Sequence, residues 1–223
     1  MSSRIVAPPL LTPITLRGVT CRNRIVISPM QQYAATRDGR PTDWHFLHLA
    51  KLAIGGAGLI FTEALGISPE ARLTWGDVGI WDDASIAPLA RLAAAMAEYG
   101  AVPGVQLNHA GRKASVLRPW HGFDPLTAAD AAARDEAPWQ TLSASAQPAN
   151  PGWPTPLAIT RDGIKRTLED FAAATRRARQ AGFQAMNIHG AHGYLIHSFL
   201  SPLSNLRDDA YGCLLYTSPS PRD

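Results

Sequence analysis

The run His189-Gly190-Ala191-His192-Gly193-Tyr194 sets two imidazoles three residues apart, with a phenol two residues further on. At the end of a strand, the first ring would sit at the strand tip and the second on the turn after it, so both could converge on one oxygen atom. Two donors there would polarise a carbonyl or nitro group and stabilise the charge that develops on it. Tyr194 would stand close enough to supply a proton. A metal pair is the rival reading, but it lacks the Glu of a His-Glu-x-x-His helix and any evident third ligand, and it ranks lower. Either histidine alone would read as a satisfied structural residue; the strand-end position and Tyr194 argue against that.

The elements that must position this run are legible from period and punctuation. Leu16 to Asn23 reads as a short hairpin turning near Gly18, followed by the apolar strand Arg24 to Met30. Thr42 is a good N-cap for a helix reaching Ile54, which Gly55-Gly56 stops. Gly58 to Ala64 is a strand with little alternation in its first half, the habit of a strand covered on both faces. Ile86, Leu89, Ala93 and Met96 fall at helical spacing from about Asp83, and Gly100 closes that helix. The third parallel strand is Val102 to His109, with Pro103 placed at its start because proline is unsuited to a central strand interior. An Ala/Pro/Trp-rich stretch from Ala110 to about Ile159 has no clear period, and such a long loop is usually functional or poorly ordered. Thr160 caps a helix with the stripe Ile164, Leu168, Phe171, Thr175 and Ala178, ended by Gly182, with Arg176 and Arg177 on a solvated face. Gln184 to His189 is the fourth strand, and a short helical segment from His192 to Phe199 follows.

Repeated strand-helix units predict a parallel sheet with helices outside. No Gly-x-Gly-x-x-Gly follows the first strand, which argues against an open dinucleotide-binding sheet. Polar residues gather where strands end, at Ser28 to Gln31, Glu63, Gln106 to His109 and His189. In a barrel those ends share the face on which active sites form. The expected class is therefore α/β: the N-terminal half of a (β/α)8 barrel preceded by a short β-hairpin.

Composition excludes other classes. The chain has 223 residues, 17% of them charged, and a net charge of +3, too sparse for a phosphate-tracking stripe, so nucleic acid is not an expected partner. No apolar run approaches the roughly 20 residues of a membrane span, and Met1 to Pro9 lacks the apolar core of a secretory signal. The expectation is a cytoplasmic protein with no membrane partner. Cys21 and Cys213 are too few for a disulfide framework.

The last eleven residues, Cys213 to Asp223, have no period. They match a transposase-type sequencing adapter read as coding DNA, with TGT CTC TTA TAC ACA TCT giving Cys213 to Ser218. The expected organisation is thus a partial barrel over residues 1–212 and a non-native tail over 213–223. The partial barrel is shorter than the roughly 250 residues of a complete one.

The chain resembles the Old Yellow Enzyme family of flavin-dependent ene-reductases from about Leu11 to Gly212. The motifs that carry the likeness are Asn23-Arg24-Ile25 leading to Ser28-Pro29-Met30, Trp44-His45, Gly55-Gly56-Ala57-Gly58, Gly79-Ile80-Trp81, the run Gln106 to Ala114, and His189 to Asn205. Arg118-Pro119-Trp120 points to the bacterial branch that contains the xenobiotic reductases.

This resemblance implies FMN across the barrel mouth. Ser28, Pro29, Met30, Gln31 and Ala64 would surround the isoalloxazine, and Gln106 would bond its pyrimidine edge, since an amide both donates and accepts. His189 and His192 would bind the substrate's electron-withdrawing oxygen, Tyr194 would donate a proton, and Tyr33 would close over the substrate. NAD(P)H would reduce the flavin, which would pass hydride to an activated alkene or nitro compound, in a homo-oligomeric parent enzyme. Two departures stand out. Gln31 replaces the Cys common near the flavin N5 in this branch, and the residues that serve the FMN phosphate in relatives would lie after Gly212. Pro29, Met30 and Tyr33 could also simply pack. Two other readings stay open: an inactive fragment that associates and binds FMN poorly, and a metal-dependent barrel hydrolase using His189 and His192.

Overall fold

The computed structural model describes residues 8–212; the tail expected at 213–223 lies outside them. The first two strands, β1 (Ile14–Leu16) and β2 (Val19–Cys21), form the expected hairpin, with Leu16 opposite Val19 and Arg17 in the left-handed region at φ 55°. Strand β3 retains only Val26–Ile27 of the predicted Arg24 to Met30. Pro29 has no N–H to give a ladder, and the chain leaves the sheet there.

Helix α1 runs Asp43–Ile54. Its N-cap Thr42 and His45 form a reciprocal box in which the Thr42 N–H donates to His45 Nδ1 at 2.9 Å. Strand β4 (Leu59–Gly66), helix α2 (Ile86–Glu98) and strand β5 (Val102–Asn108) follow within a few residues of the expected bounds. The stretch after Asn108, expected to be one long loop, contains helix α3 (Ala128–Arg134) and the two-residue parallel strands β6 (Leu142–Ser143) and β7 (Leu157–Ala158). A box between Thr127 and Asp130 starts α3. Helix α4 (Arg161–Gln180) begins at Thr160, whose hydroxyl accepts from the Gly163 N–H, and strand β8 (Ala185–Ile188) and helix α5 (Leu195–Leu200) complete the chain.

The main sheet has the order β3-β4-β5-β8, and every pair is parallel. Helices α1, α2 and α4 cover one face. Ile60, Leu65, Val105 and Leu107 of the sheet pack there with Leu89 and Met96 of α2 and Ala174 and Ala178 of α4, all buried. Each fully buried aliphatic side chain of this kind contributes about 1.5–3 kcal/mol. This is the arrangement of half a (β/α)8 barrel. The hairpin β1-β2 closes its bottom: Cys21, Leu59 and Val102 are buried together, with Val19, Phe61 and Ala185 against them. The opposite, C-terminal ends of the strands are left for function.

Three local expectations are corrected. Strand β5 is internal, between β4 and β8, and Pro103 is its second residue; the missing N–H is tolerated near the strand start, where the Pro103 carbonyl accepts from Gln184 at 2.9 Å. Leu168, placed on the buried stripe of α4, is 60% exposed. Arg177 is not merely solvated but ion-pairs with Asp83 at 2.8 Å.

Candidate active site at the strand ends

Strand β4 bulges between Phe61 and Ala64, and the bulge turns Glu63 into the protein. Its carboxylate is buried and accepts the N–H of Gln32 and that of Val78, each at 3.1 Å. His45 Nε2 stands 3.3 Å from the same carboxylate. Because His45 Nδ1 accepts from Thr42, its Nε2 carries the proton, which makes no aligned hydrogen bond to Glu63. One side chain thus joins α1, the segment after β3 and the segment after β4. Beside it, the amide of Gln31 donates to the Ala64 carbonyl at 3.2 Å and accepts the Ala64 N–H at 3.0 Å.

On β5 and β8, Gln106 and Asn187 are in register, and Gln106 Nε2 donates to Asn187 Oδ1 at 2.6 Å. Next along β8 comes the buried His189, whose Nδ1 accepts the Ala191 N–H at 3.2 Å. His189 Nε2 lies 3.0 Å from His192 Nδ1. Protons assigned from this network put N–H on Nε2 of both rings, so His189 donates to His192 and His192 Nε2–H has no partner among the described residues. The two imidazoles are brought together as the spacing predicts, but in series rather than side by side on one point. His192 at φ 59° and Gly193 at φ 75° make the left-handed turn that permits this, and a non-glycine residue held there is strained. Tyr194 packs its ring 4.6 Å from that of His189.

Desolvation disfavours the charged forms of His189, Tyr194 and Tyr33. Burial, then His192, lowers the His189 pKa. Burial, then Asp77 and Tyr33, pushes the Tyr194 phenol well above its usual value, and burial, then Asp77 and Glu63, pushes Tyr33 up to about 12. Asp77, fully buried, is raised to about 7 by desolvation and by Glu63, against the hydrogen bonds it accepts from Leu73 N–H and Thr74 Oγ1. Tyr33 lies edge-on to Trp120 and Phe123, at 6.0 and 6.4 Å between centroids.

Sequence reasoning placed Glu63 at a strand end and His45 in a family motif, both without a role, and missed Asp77 and Asn187 in this neighbourhood. It also missed the closeness of Lys113, which a Cβ on Gly193 would meet at 3.3 Å from Cε. The alternation of β8, which puts Asn187 on the face of Gln106, was the available signal for one of these. Among the described residues no three His, Cys, Asp or Glu side chains gather as a metal site, so a metal-dependent reading has no third ligand there.

Residues 9–215 match the NADH:flavin oxidoreductase / NADH oxidase family. The chain belongs to that family. It is 44% identical over 204 residues to an NADPH dehydrogenase of Geobacillus thermodenitrificans, covering 91% of this chain and 54% of the relative. It is also 44% identical over 207 residues to an NADH:flavin oxidoreductase of Gibberella zeae, covering 91% of this chain and 48% of the relative. Among solved structures, morphinone reductase superposes with a TM-score of 0.77 at 29% identity, covering 92% of this chain and 54% of its own. The Old Yellow Enzyme homologue from Zymomonas mobilis gives 0.75 at 31%, covering 92% and 55%. The chain spans about half the length of these relatives.

The strand-end residues fit part of a flavin. Met30 is 47% exposed at the sheet end, an uncovered apolar surface suited to a flat ring, and Gln106 Oε1 makes no hydrogen bond among the described residues. At Ala64, where a backbone contact is expected, the N–H is taken by Gln31 and the carbonyl accepts one bond from it, leaving the carbonyl's second lone pair. No glycine-rich phosphate cradle follows any of the four parallel strands.

Proposed function

We propose that this half barrel carries the substrate-binding side of an FMN-dependent oxidoreductase that takes electrons from NAD(P)H and reduces activated alkenes or nitro compounds, both small molecules. The observation that carries the reading is the His189–His192 pair with Tyr194 against it, at the end of β8 beside Gln106. Met30 and Pro29 would pack on the ring system of the FMN, and Gln106 would meet its polar edge. Bound FMN would supply the hydride.

This chain's own residues do the rest. His192 Nε2–H is free to donate to a substrate oxygen, and His189 Nε2–H becomes a second donor when the bond between the rings opens. Burial disfavours the charged form of His189, so its N–H acts as a dipolar donor that strengthens as negative charge grows on the oxygen. Tyr194 keeps its proton because its phenolate is disfavoured, and it holds that proton beside the paired rings for transfer to carbon. Glu63, through Gln32 and His45, fixes the segment that bears Met30 and Gln31.

The test is made on a gene product of full family length. FMN should co-purify in stoichiometric amount, and NADPH should drive reduction of 2-cyclohexenone. A colourless protein that shows no flavin binding on titration would contradict the reading.

A further inference from the structure

Residues between Arg112 and Thr155 line a partly open cavity of about 240 Å³. Its walls include the indoles of Trp139 and Trp153 and the side chain of Leu126, with Gln140, Thr141 and Arg112 as polar lining. Arg112 is the one ionisable residue among those that line it. Its Nη1 donates to the carbonyls of Gln147 and Pro148 at 3.3 and 3.2 Å, while its Nε is buried without any acceptor. No carboxylate among the described residues lies within ion-pair distance of it; Glu136 pairs instead with Arg118 at 3.1 Å. Arg112 is half-buried, and leaving its buried Nε–H without an acceptor is costly, a cost that an anion at that edge would remove.

We propose that this cavity is a second binding site, distinct from the His189–His192 site, and that it takes a small aromatic carboxylate with Arg112 as the anion's partner. A guanidinium edge matches the two oxygens of a carboxylate, and the charge-assisted bonds are the strong ones. Two indoles provide walls for a flat ring. The volume suits a single-ring ligand rather than a nucleotide. The walls are preformed: Trp139 donates from Nε1 to the Glu70 carbonyl at 3.1 Å and from its backbone N–H to Ser115 Oγ at 2.9 Å. Gln140 is held to the carbonyls of Thr141 and Thr155. None of His189, His192 and Tyr194 lines the cavity, although Tyr194, Trp139 and Trp153 all pack on the same apolar cluster of Leu73, Ala110, Ala114 and Val116.

The experiment is a benzoate titration of the full 223-residue chain without added flavin, read by calorimetry and by tryptophan fluorescence. Saturable binding is expected, weakened at least about tenfold in Arg112→Gln, less in Arg112→Lys, and unchanged in His189→Ala/His192→Ala. Trp153→Leu, which leaves Arg112 in place, should also weaken binding and guards against a folding defect in the arginine variants. Absence of saturable binding, binding unaffected by both Arg112→Gln and Trp153→Leu, loss in the double histidine variant, or equal displacement by inorganic phosphate would each overturn the proposal.

Discussion

His189 Nε2 and His192 Nδ1 are 3.0 Å apart, and the Ala191 N–H on His189 Nδ1 sets the direction of the bond between them. The pair is a short donor chain that ends on one N–H with no partner among the described residues.

A first prediction follows from that direction. Nitrogen-15 NMR of the neutral imidazoles should show their protons on Nε2. His189 should titrate below the ordinary histidine range, because burial and the neighbouring ring disfavour its charged form. An Nδ1–H form of His189 at neutral pH would contradict the assignment.

The pH dependence of stability should reflect two buried groups of opposite sense. His109, its pKa lowered to about 4 by burial, takes up a proton only in the unfolded chain between about pH 6.5 and 4, so its contribution falls as pH falls through that window. Asp77, raised to about 7, keeps its proton in the folded chain where the unfolded chain has lost it, so its contribution falls as pH rises from the carboxylate range towards 7. The two slopes oppose each other between about pH 4 and 6.5. Asp77→Asn copies the protonated acid and removes one slope. Urea unfolding should then show this variant gaining on the parent from pH 5 towards pH 7, by about 1.4 kcal/mol for each step of one in pH, and holding that gain at pH 8. Parallel pH profiles for the two proteins would contradict the buried, protonated Asp77.

The stitching of β4 to the segment after β3 predicts a graded pair of variants. Glu63→Ala strands the backbone N–H groups of Gln32 and Val78 and should destabilise by about 3 kcal/mol or more, while Glu63→Gln retains an acceptor and recovers part of this. Gln31→Leu frees only the Ala64 backbone and should cost about 1–3 kcal/mol. Amide exchange at Ala64 should speed up in Gln31→Leu; unchanged protection would show that the Gln31 bonds do not form.

Strand β8 is an edge, with Met186 42% and Ile188 59% exposed, and Leu168, 60% exposed, lies with Ile188 and Phe199 in an apolar groove. Surface of this kind drives association. The 223-residue chain by itself should sediment as oligomers, and Ile188→Lys should shift it towards monomer. A monomer at all concentrations would show that this face is better satisfied than its exposure indicates.

Much of the fold was legible because its signals are local. Thr42 and Gly55 bound α1, Thr160 starts α4, and unalternating apolar runs mark β4 and β5. Helix α3 escaped because a short alanine-rich turn has no stripe, and only the Thr127/Asp130 box announces it. Leu168 misled because helical spacing reports a face, not what covers it. At the site, the strand-end grouping of His189, His192, Tyr194 and Gln106 came from the sequence and from the family likeness. The series arrangement of the rings did not, since it depends on His192 adopting a positive φ. Glu63, His45 and Asp77 are buried and come from distant segments, and no spacing along the chain encodes such proximity.

The most direct test of the proposed activity is steady-state reduction of 2-cyclohexenone by NADPH in a full-length gene product carrying His189→Ala and His192→Ala. FMN content should be unchanged, and turnover should fall about a hundredfold or more, the scale expected when the donors to a developing oxyanion are removed. Turnover equal to that of the parent, with FMN bound, would contradict the assignment of this pair to the substrate oxygen.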